Sequence, residues 1–373
     1  MSDKKSVTLR LDKTLLMQEV HSLLKHRKMN KSQPNYDVVV VGGGMVGAAA
    51  ALGLAQIGWS VALLEHDAPA PFDKDSVPDL RVSALGCTSV ALLKQLGAWP
   101  QVQQMRYAPY RRLETWEQPG SQVVFDAASL SLPELGFMVE NRILQLALWQ
   151  QFAECPNLTL LCPSRLQSMV RIDDYWKVTL NEQEEIQGRL VIGADGANSL
   201  VRRLAGIGTS GWQYRQSCML ITVETDVMQQ DTTWQQFFPT GPRAFLPLFD
   251  HWASLVWYDS PQRIRQLQAM SMAQLSQEIA AFFPSRLGAV KAIAAGAFPL
   301  VRRHAQQYVN RGWYYWEMPL IPSIHWLGRG STWDTVMLTH CWRCLVRPVS
   351  WLNLGTVSRF YCVTSVAAAP IIS

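Results

Sequence analysis

The stretch Tyr36-Asp37-Val38-Val39-Val40-Val41-Gly42-Gly43-Gly44-Met45-Val46-Gly47 decides how the chain is read. Asp37 to Val41 is a β-branched run ending in glycines, the pattern of a parallel strand covered on both faces. Gly42, Gly44 and Gly47 stand in the spacing G-x-G-x-x-G. The first glycine permits a tight turn, the second lets backbone approach a pyrophosphate, and the third lets the next helix pack close to the sheet. Ala48 to Gln56 supplies small apolar residues for a buried helix whose N-terminal N–H groups and dipole would face phosphates, and Gly58 closes it. Ser60 to Leu64 reads as a second strand. Glu65 follows, eighteen residues past Gly47, where a carboxylate can accept both ribose hydroxyls of an adenosine. A glycine-rich turn alone is common; strand, loop, helix, second strand and acid in this order point to a dinucleotide site.

At 373 residues the chain suits two lobes better than one. With 17% charged and 48% hydrophobic residues the composition is that of a globular protein. The formal charge of +5 comes with no Lys/Arg run beyond the N-terminus, so nucleic acid is not an expected partner, and any membrane contact should be peripheral. No stretch reaches the eighteen or so uninterrupted apolar residues of a spanning helix. Seven irregularly spaced cysteines, without a secretory signal pattern, suggest reduced thiols and a cytoplasmic setting, at most peripheral to the inner membrane.

Residues 1–35 are polar and basic, with Leu15, Leu16, Val20, Leu23 and Leu24 at helical spacing. They read as an unstructured extension, and Met29 is a plausible natural start eight residues before Asp37. After Glu65 comes a Pro/Asp-rich loop, then Asp79-Leu80-Arg81-Val82-Ser83-Ala84 and a helix from Thr88 to Leu96. Arg81 is either a surface charge or a phosphate clamp, which spacing does not decide. Residues 106–137 alternate like strands, and Asn141 to Phe152 has the period of a helix. Gly193-Ala194-Asp195-Gly196-Ala197-Asn198-Ser199 follows a buried strand, so Asp195 and Gly196 sit in a turn and Asn198 or Ser199 can cap the next helix. Asp195 could meet a ribityl or ribose hydroxyl, or simply form an Asp-Gly turn. Ser217 to Tyr258 returns to strands with one apolar face, a suitable floor for a flat hydrophobic substrate. Ile264 to Phe283 reads as one helix.

With both glycine motifs in view, the chain resembles the class A FAD-dependent aromatic monooxygenases of the para-hydroxybenzoate hydroxylase fold, in the branch of the ubiquinone-biosynthesis hydroxylases. The carriers are Gly42 to Gly47, Glu65-His66, Asp79 to Ala84, Gly193 to Ser199, and Gly241-Pro242-Arg243-Ala244-Phe245-Leu246-Pro247-Leu248. The resemblance covers about residues 36–309. It implies an α/β chain in which a Rossmann-like FAD/NAD(P)-binding domain (36–70, 139–205 and 290–311) is interleaved with a substrate domain on a mostly antiparallel sheet (71–138 and 206–289). FAD is the implied cofactor, NAD(P)H the electron donor, O2 the co-substrate and a polyprenylated benzoquinol the substrate, with other ubiquinone-biosynthesis enzymes as possible partners. Gly42, Gly44 and Gly47 would hold the pyrophosphate and Glu65 the adenosine ribose. Arg81 would lie on the phosphate or flavin side, and Asp195 with Gly196 at the pyrophosphate and ribityl region. No catalytic acid or base is singled out, since a quinol is activated by its own hydroxyls. Two alternatives stay open: a flavin reductase or cyclase of the same fold, and a non-catalytic remnant.

The family would next show a strand and G-D-A-A-H-x-x-x-P-x-x-G-Q-G, and this motif is absent. Residues 312–373 instead hold six of the fifteen Trp, three of the seven Cys and only two acids, Glu317 and Asp334. Trp and Met have single codons, so part of the base sequence can be recovered. Read from the third base of the Trp313 codon, Trp313-Tyr314-Tyr315-Trp316-Glu317-Met318-Pro319 forces Val-Leu-Leu-Gly, then Asp or Asn, then Ala. The missing strand and motif thus lie out of frame, with the shift near Asn310-Arg311-Gly312. The residues 312–373 are expected to be an aberrant tail, and the cluster His340-Cys341-Trp342-Arg343-Cys344 an accident of translation, so no metal site is expected.

Overall fold

The computed structural model describes residues 35–181, 184–227, 230–310 and 313–315. The expectations for residues 1–34 and 316–373 lie outside the described residues.

Strand β1 (Tyr36–Val41) is central and its last four valines are buried. Helix α1 (Met45–Gln56) follows, apolar from Met45 to Ala55 and buried from Gly47 to Ala55, as a helix apolar on all sides must be. It ends where Gly58 takes φ +94 and its N–H donates to Ala55 O at 2.9 Å. Strand β2 (Val61–Leu64) pairs parallel with β1, Val38 opposite Val61 through Val41 opposite Leu64.

Next come β3 (Val82–Gly86), α2 (Cys87–Gln95), α3 (Trp99–Gln104), β4 (Ala108–Tyr110), β5 (Arg112–Trp116), β6 (Val123–Asp126) and β7 (Gly136–Glu140). Strands β3, β7 and β4 form a small antiparallel sheet. Helix α4 (Asn141–Gln150) buries Ile143, Leu144, Ala147 and Leu148, the spacing of one helical face, and packs on α1. Strand β8 (Leu158–Leu161) extends the first sheet beside β2.

The hairpin β9 (Leu166–Ile172) and β10 (Tyr175–Leu180) leads into β11 (Glu184–Gly193), which serves two partners. Its first half pairs antiparallel with β10, and from Gly188 onward it pairs parallel with β1, ending with Gly193 opposite Val41. Helix α5 (Leu200–Leu204) then precedes β12 (Thr209–Thr225), β13 (Thr232–Gln236), β14 (Arg243–Pro247) and β15 (Trp252–Asp259). Helices α6 (Pro261–Gln268) and α7 (Met272–Phe282) lead to β16 (Val290–Ala305), β17 (Val309–Asn310) and β18 (Trp313–Tyr315). The seven-stranded second sheet runs β16-β12-β15-β14-β13-β5-β6, antiparallel except where β13 meets β5. The chain is therefore α/β, with a parallel-centred sheet and a mostly antiparallel one, as expected.

Three features differ from the sequence expectations. The single helix over Ile264 to Phe283 is two helices, because Ser271 caps α7 through a reciprocal box with Gln274 and so starts a new first turn. Strand β16, in the segment from residue 290 assigned to the FAD-binding domain, pairs along its length with β12 of the second sheet, from Val290 opposite Thr225 to Ala305 opposite Thr209. Only its end, Ala305, joins the core under β1 and β11. Third, β18 from the compositionally odd tail pairs parallel with β11, Val191 opposite Trp313 through Gly193 opposite Tyr315. An open sheet edge accepts any chain that presents backbone N–H and C=O groups, and aromatic residues suit a strand. The sheet position beyond β11 is thus filled by residues of the tail itself.

Candidate cofactor site

The site forms where β1, β2 and β11 end on the same edge of the parallel sheet, the position at which ligands of such sheets sit. The Ala194 N–H donates to Val41 O at 2.7 Å and the Gly42 N–H to Leu64 O at 2.8 Å, so the strands open into adjoining loops. Gly42 has φ +102, and a Cβ there would lie 2.4 Å from Ala194 O. The glycine loop and the Asp-Gly turn therefore abut at the backbone.

Gly47 is equally tight: a Cβ would come within 1.8 Å of Gly42 O. At Gly44 a Cβ would meet nothing within 4 Å. The loop is thus closed by protein at its ends and open at its middle glycine, a cradle that a side chain would fill. The first backbone bond of α1 runs from Ala48 N to Gly44 O at 2.8 Å, which leaves the Met45, Val46 and Gly47 N–H groups as the helix's unpaired first-turn donors. This donor set fits a pyrophosphate.

Glu65 stands over the same loop. Its Oε2 accepts from the Gly43 N–H at 2.5 Å and its Oε1 from the His66 N–H at 2.7 Å, which holds the carboxylate at the end of β2. Asp195 is used differently. Its Oδ1 accepts from Ser199 Oγ at 2.5 Å, and its Oδ2 from the N–H groups of Leu200 at 2.7 Å and Val201 at 3.1 Å. The carboxylate anchors the start of α5, which Ser199 caps by accepting from the Arg202 N–H. Gly196 turns the chain with φ +76. Gly42, Gly44, Gly47, Glu65, Asp195 and Gly196 thus cluster at one sheet edge. Arg81 does not join them by any contact: its guanidinium is exposed and makes no hydrogen bond or ion pair among the described residues.

The segment before Arg81 is held by residues that the sequence does not single out. Arg106 and Glu140 form a buried pair, Nε to Oε1 at 2.6 Å and Nη2 to Oε2 at 2.9 Å, and Arg106 also donates to Ser76 O at 2.7 Å. The Asp79 N–H donates to Glu140 Oε2 at 2.7 Å. Arg142 grips Asp79 by two bonds, and that hydrogen-bonded carboxylate raises the Arg142 pKa further. The Asn141 N–H donates to Arg81 O at 3.0 Å. No local pattern marks Arg106 as a buried cation, since its partner lies 34 residues away.

A twisted parallel sheet with a glycine loop, an acid ending the second strand and an adjoining Asp-Gly turn is the architecture of a dinucleotide-binding enzyme. Residues 35–310 match the FAD-binding domain family, and the chain belongs to it. It is 62% identical to the 3-demethoxyubiquinol 3-hydroxylase of Escherichia coli (strain K12) over 281 residues, 75% of this chain and 72% of that protein. It is 31% identical to the mitochondrial ubiquinone biosynthesis monooxygenase COQ6 of Xenopus tropicalis over 327 residues, 74% and 70% of the two chains. Among solved structures it is similar to PqsL of Pseudomonas aeruginosa, with a TM-score of 0.71 at 18% identity over 89% of this chain and 93% of that one. A ternary complex of aklavinone-11 hydroxylase with FAD and aklavinone gives 0.65 at 17% identity over 84% and 63%. These structural likenesses show the fold. Among the described residues no helix is long and apolar enough to cross a membrane.

Proposed function

We propose that the chain is an FAD-dependent monooxygenase of ubiquinone biosynthesis that hydroxylates the ring of a polyprenylated benzoquinol with NAD(P)H and O2, an activity impaired in this chain by its altered C-terminus. The observation that carries it is the 62% identity to a 3-demethoxyubiquinol 3-hydroxylase, with an open cradle at Gly44 where a pyrophosphate must approach. Bound FAD supplies the redox chemistry, taking two electrons from NAD(P)H and delivering them to O2, one atom of which enters the ring while the other leaves as water.

The chain's own residues bind, orient and exclude water. The first-turn N–H groups of α1 hold the pyrophosphate, and Glu65 turns from the Gly43 N–H to the adenosine ribose. Asp195 and Gly196 shape the turn beside the ribityl chain. Arg81, exposed on a segment braced by Arg106, Glu140 and Arg142, reaches the phosphate or flavin side. The second sheet supplies the substrate floor. One face is buried under α6 and α7 by Trp257, Phe245 and Leu255. The other presents Cys218, Leu220, Ala244, Leu246 and Val256, and it meets the segment before Arg81 where Leu80 packs on Gly296. A flat apolar ring fits between such a face and a flavin. In this proposal residues 36–70 and 139–205 bind FAD, most of 71–138 and 206–305 carries the substrate sheet, and the tail from residue 312 is read out of frame. The quinol pool implies peripheral membrane contact and neighbouring enzymes of the same pathway.

The test is NAD(P)H oxidation by the purified chain with its frame corrected near Arg311, with and without a demethoxyubiquinol analogue. Quinol-stimulated oxidation with a hydroxylated product supports the proposal. Oxidation that is indifferent to the quinol and oxygen, or that reduces an alkene, identifies a reductase and overturns it.

A further inference from the structure

Gly43 is gripped on both sides. Its carbonyl accepts from Gln145 Nε2 at 2.9 Å and from Trp149 Nε1 at 2.8 Å, while its N–H donates to Glu65 Oε2 at 2.5 Å. Gln145 and Trp149 are four residues apart on α4 and so share one helical face. Both lone pairs of the Gly43 oxygen are therefore taken by that helix. The fit also needs glycine at this position, since a Cβ on Gly43 would lie 2.9 Å from Glu65 Cβ and 3.0 Å from the Trp149 ring.

A trans peptide points its C=O and the next N–H in opposite directions. With the Gly43 carbonyl drawn to α4, the Gly44 N–H is turned away from α4, at the residue where the loop is open. The opposite peptide orientation would present a carbonyl oxygen to an anion. Resting on the FAD proposal above, we propose that Gln145 and Trp149 are positioning residues for the cofactor: they fix the Gly43–Gly44 peptide so that its N–H faces the pyrophosphate. They touch the loop's carbonyl and act on the phosphate through it.

Because both side chains hold one oxygen, removing one leaves the other in place, and removing both frees the peptide. The test is a double-mutant cycle on FAD affinity in the full-length, frame-restored chain, with Gln145→Leu, Trp149→Phe and the pair. FAD is titrated into apoprotein and followed by flavin fluorescence, and the melting temperature of each apoprotein is recorded beside it. We expect each single variant to weaken FAD about threefold and the pair to weaken it well beyond the roughly tenfold product of the two, with the apoprotein melting temperatures close to the parent's. Gln145→Glu, which loses the amide donor while keeping length, should weaken FAD at least as much as Gln145→Leu. FAD affinities equal to the parent's overturn the proposal, as do additive losses that track the melting temperature, which would mark a merely structural clamp. A parent that binds no FAD overturns the cofactor assignment itself, and this proposal with it.

Discussion

The Cα of Gly47 faces the carbonyl of Gly42 so closely that a Cβ would lie 1.8 Å from its oxygen. Helix α1 and the glycine loop thus touch backbone to backbone. Gly42 is bound by a different constraint, its φ of +102 and the Ala194 carbonyl. Gly44 has neither, with φ −65 and nothing within 4 Å of a Cβ. One motif therefore holds two glycines required by the fold and one left free for the ligand.

Gly44→Val and Gly47→Ala should accordingly fail in different ways. Gly47→Ala forces α1 off the loop and should destabilise the apoprotein by about 1–3 kcal/mol, as overpacking does. In the chain with its frame corrected near Arg311, Gly44→Val should leave apoprotein melting near the parent's and abolish FAD retention, because its side chain fills the approach path. Melting temperature and FAD per chain, measured on both, check this. A Gly44→Val protein with full FAD content would remove the loop from the cofactor site.

The Arg106–Glu140 pair has side chains only 6% and 3% exposed. Arg106→Leu leaves a buried carboxylate with the Asp79 N–H as its remaining partner, so unfolding should become easier by about 3–5 kcal/mol. Replacing both residues by Leu should recover much of that loss, since no unpaired charge is then buried. Denaturant midpoints of the two variants decide it, and a double variant no more stable than Arg106→Leu would count against this account.

His304 accepts from Arg302 Nε at 3.0 Å and lies 3.3 Å from the Tyr308 hydroxyl. Burial first, and the Arg302 charge second, lower its pKa from 6.5. The folded chain thus holds this histidine neutral at pH values where the unfolded chain protonates it. Stability from this site is whole above the ordinary value of 6.5 and falls as pH drops through it. In denaturant titrations between about pH 7 and pH 5, His304→Gln should show a shallower loss than the parent. Identical slopes would mean that His304 does not contribute.

The tail offers the broadest comparison. Strand β18 covers the edge of β11, and we read the G-D-A-A-H motif and the helix after it as encoded out of frame. We expect the 373-residue chain to be poorly soluble, to carry little FAD and to hydroxylate no quinol, and a single-frame correction near Arg311 to restore all three. FAD per chain and quinol-dependent NAD(P)H consumption, measured side by side, test this. Equal values for both chains would refute the frame assignment.

What the sequence determined by itself is local. Five consecutive residues from Asp37, glycines at fixed offsets, small residues over α1 and an acid after β2 set backbone conformations and side-chain directions over short spans, so β1, the loop, α1, β2 and the position of Glu65 could all be read. The Ser271-to-Gln274 box was also there to be read, and it divides what looks like one helix. The tertiary structure alone decided the rest. It paired β16 with β12 rather than with the nucleotide sheet and gave β11 an antiparallel and a parallel partner. It turned the Asp195 carboxylate onto the start of α5, left the Arg81 guanidinium without a hydrogen bond among the described residues, and brought Gln145 and Trp149 to Gly43 across 102 and 106 residues. Such contacts depend on which strand edges pair and how helices dock, and these are set by the burial of whole faces, which no short stretch of sequence contains.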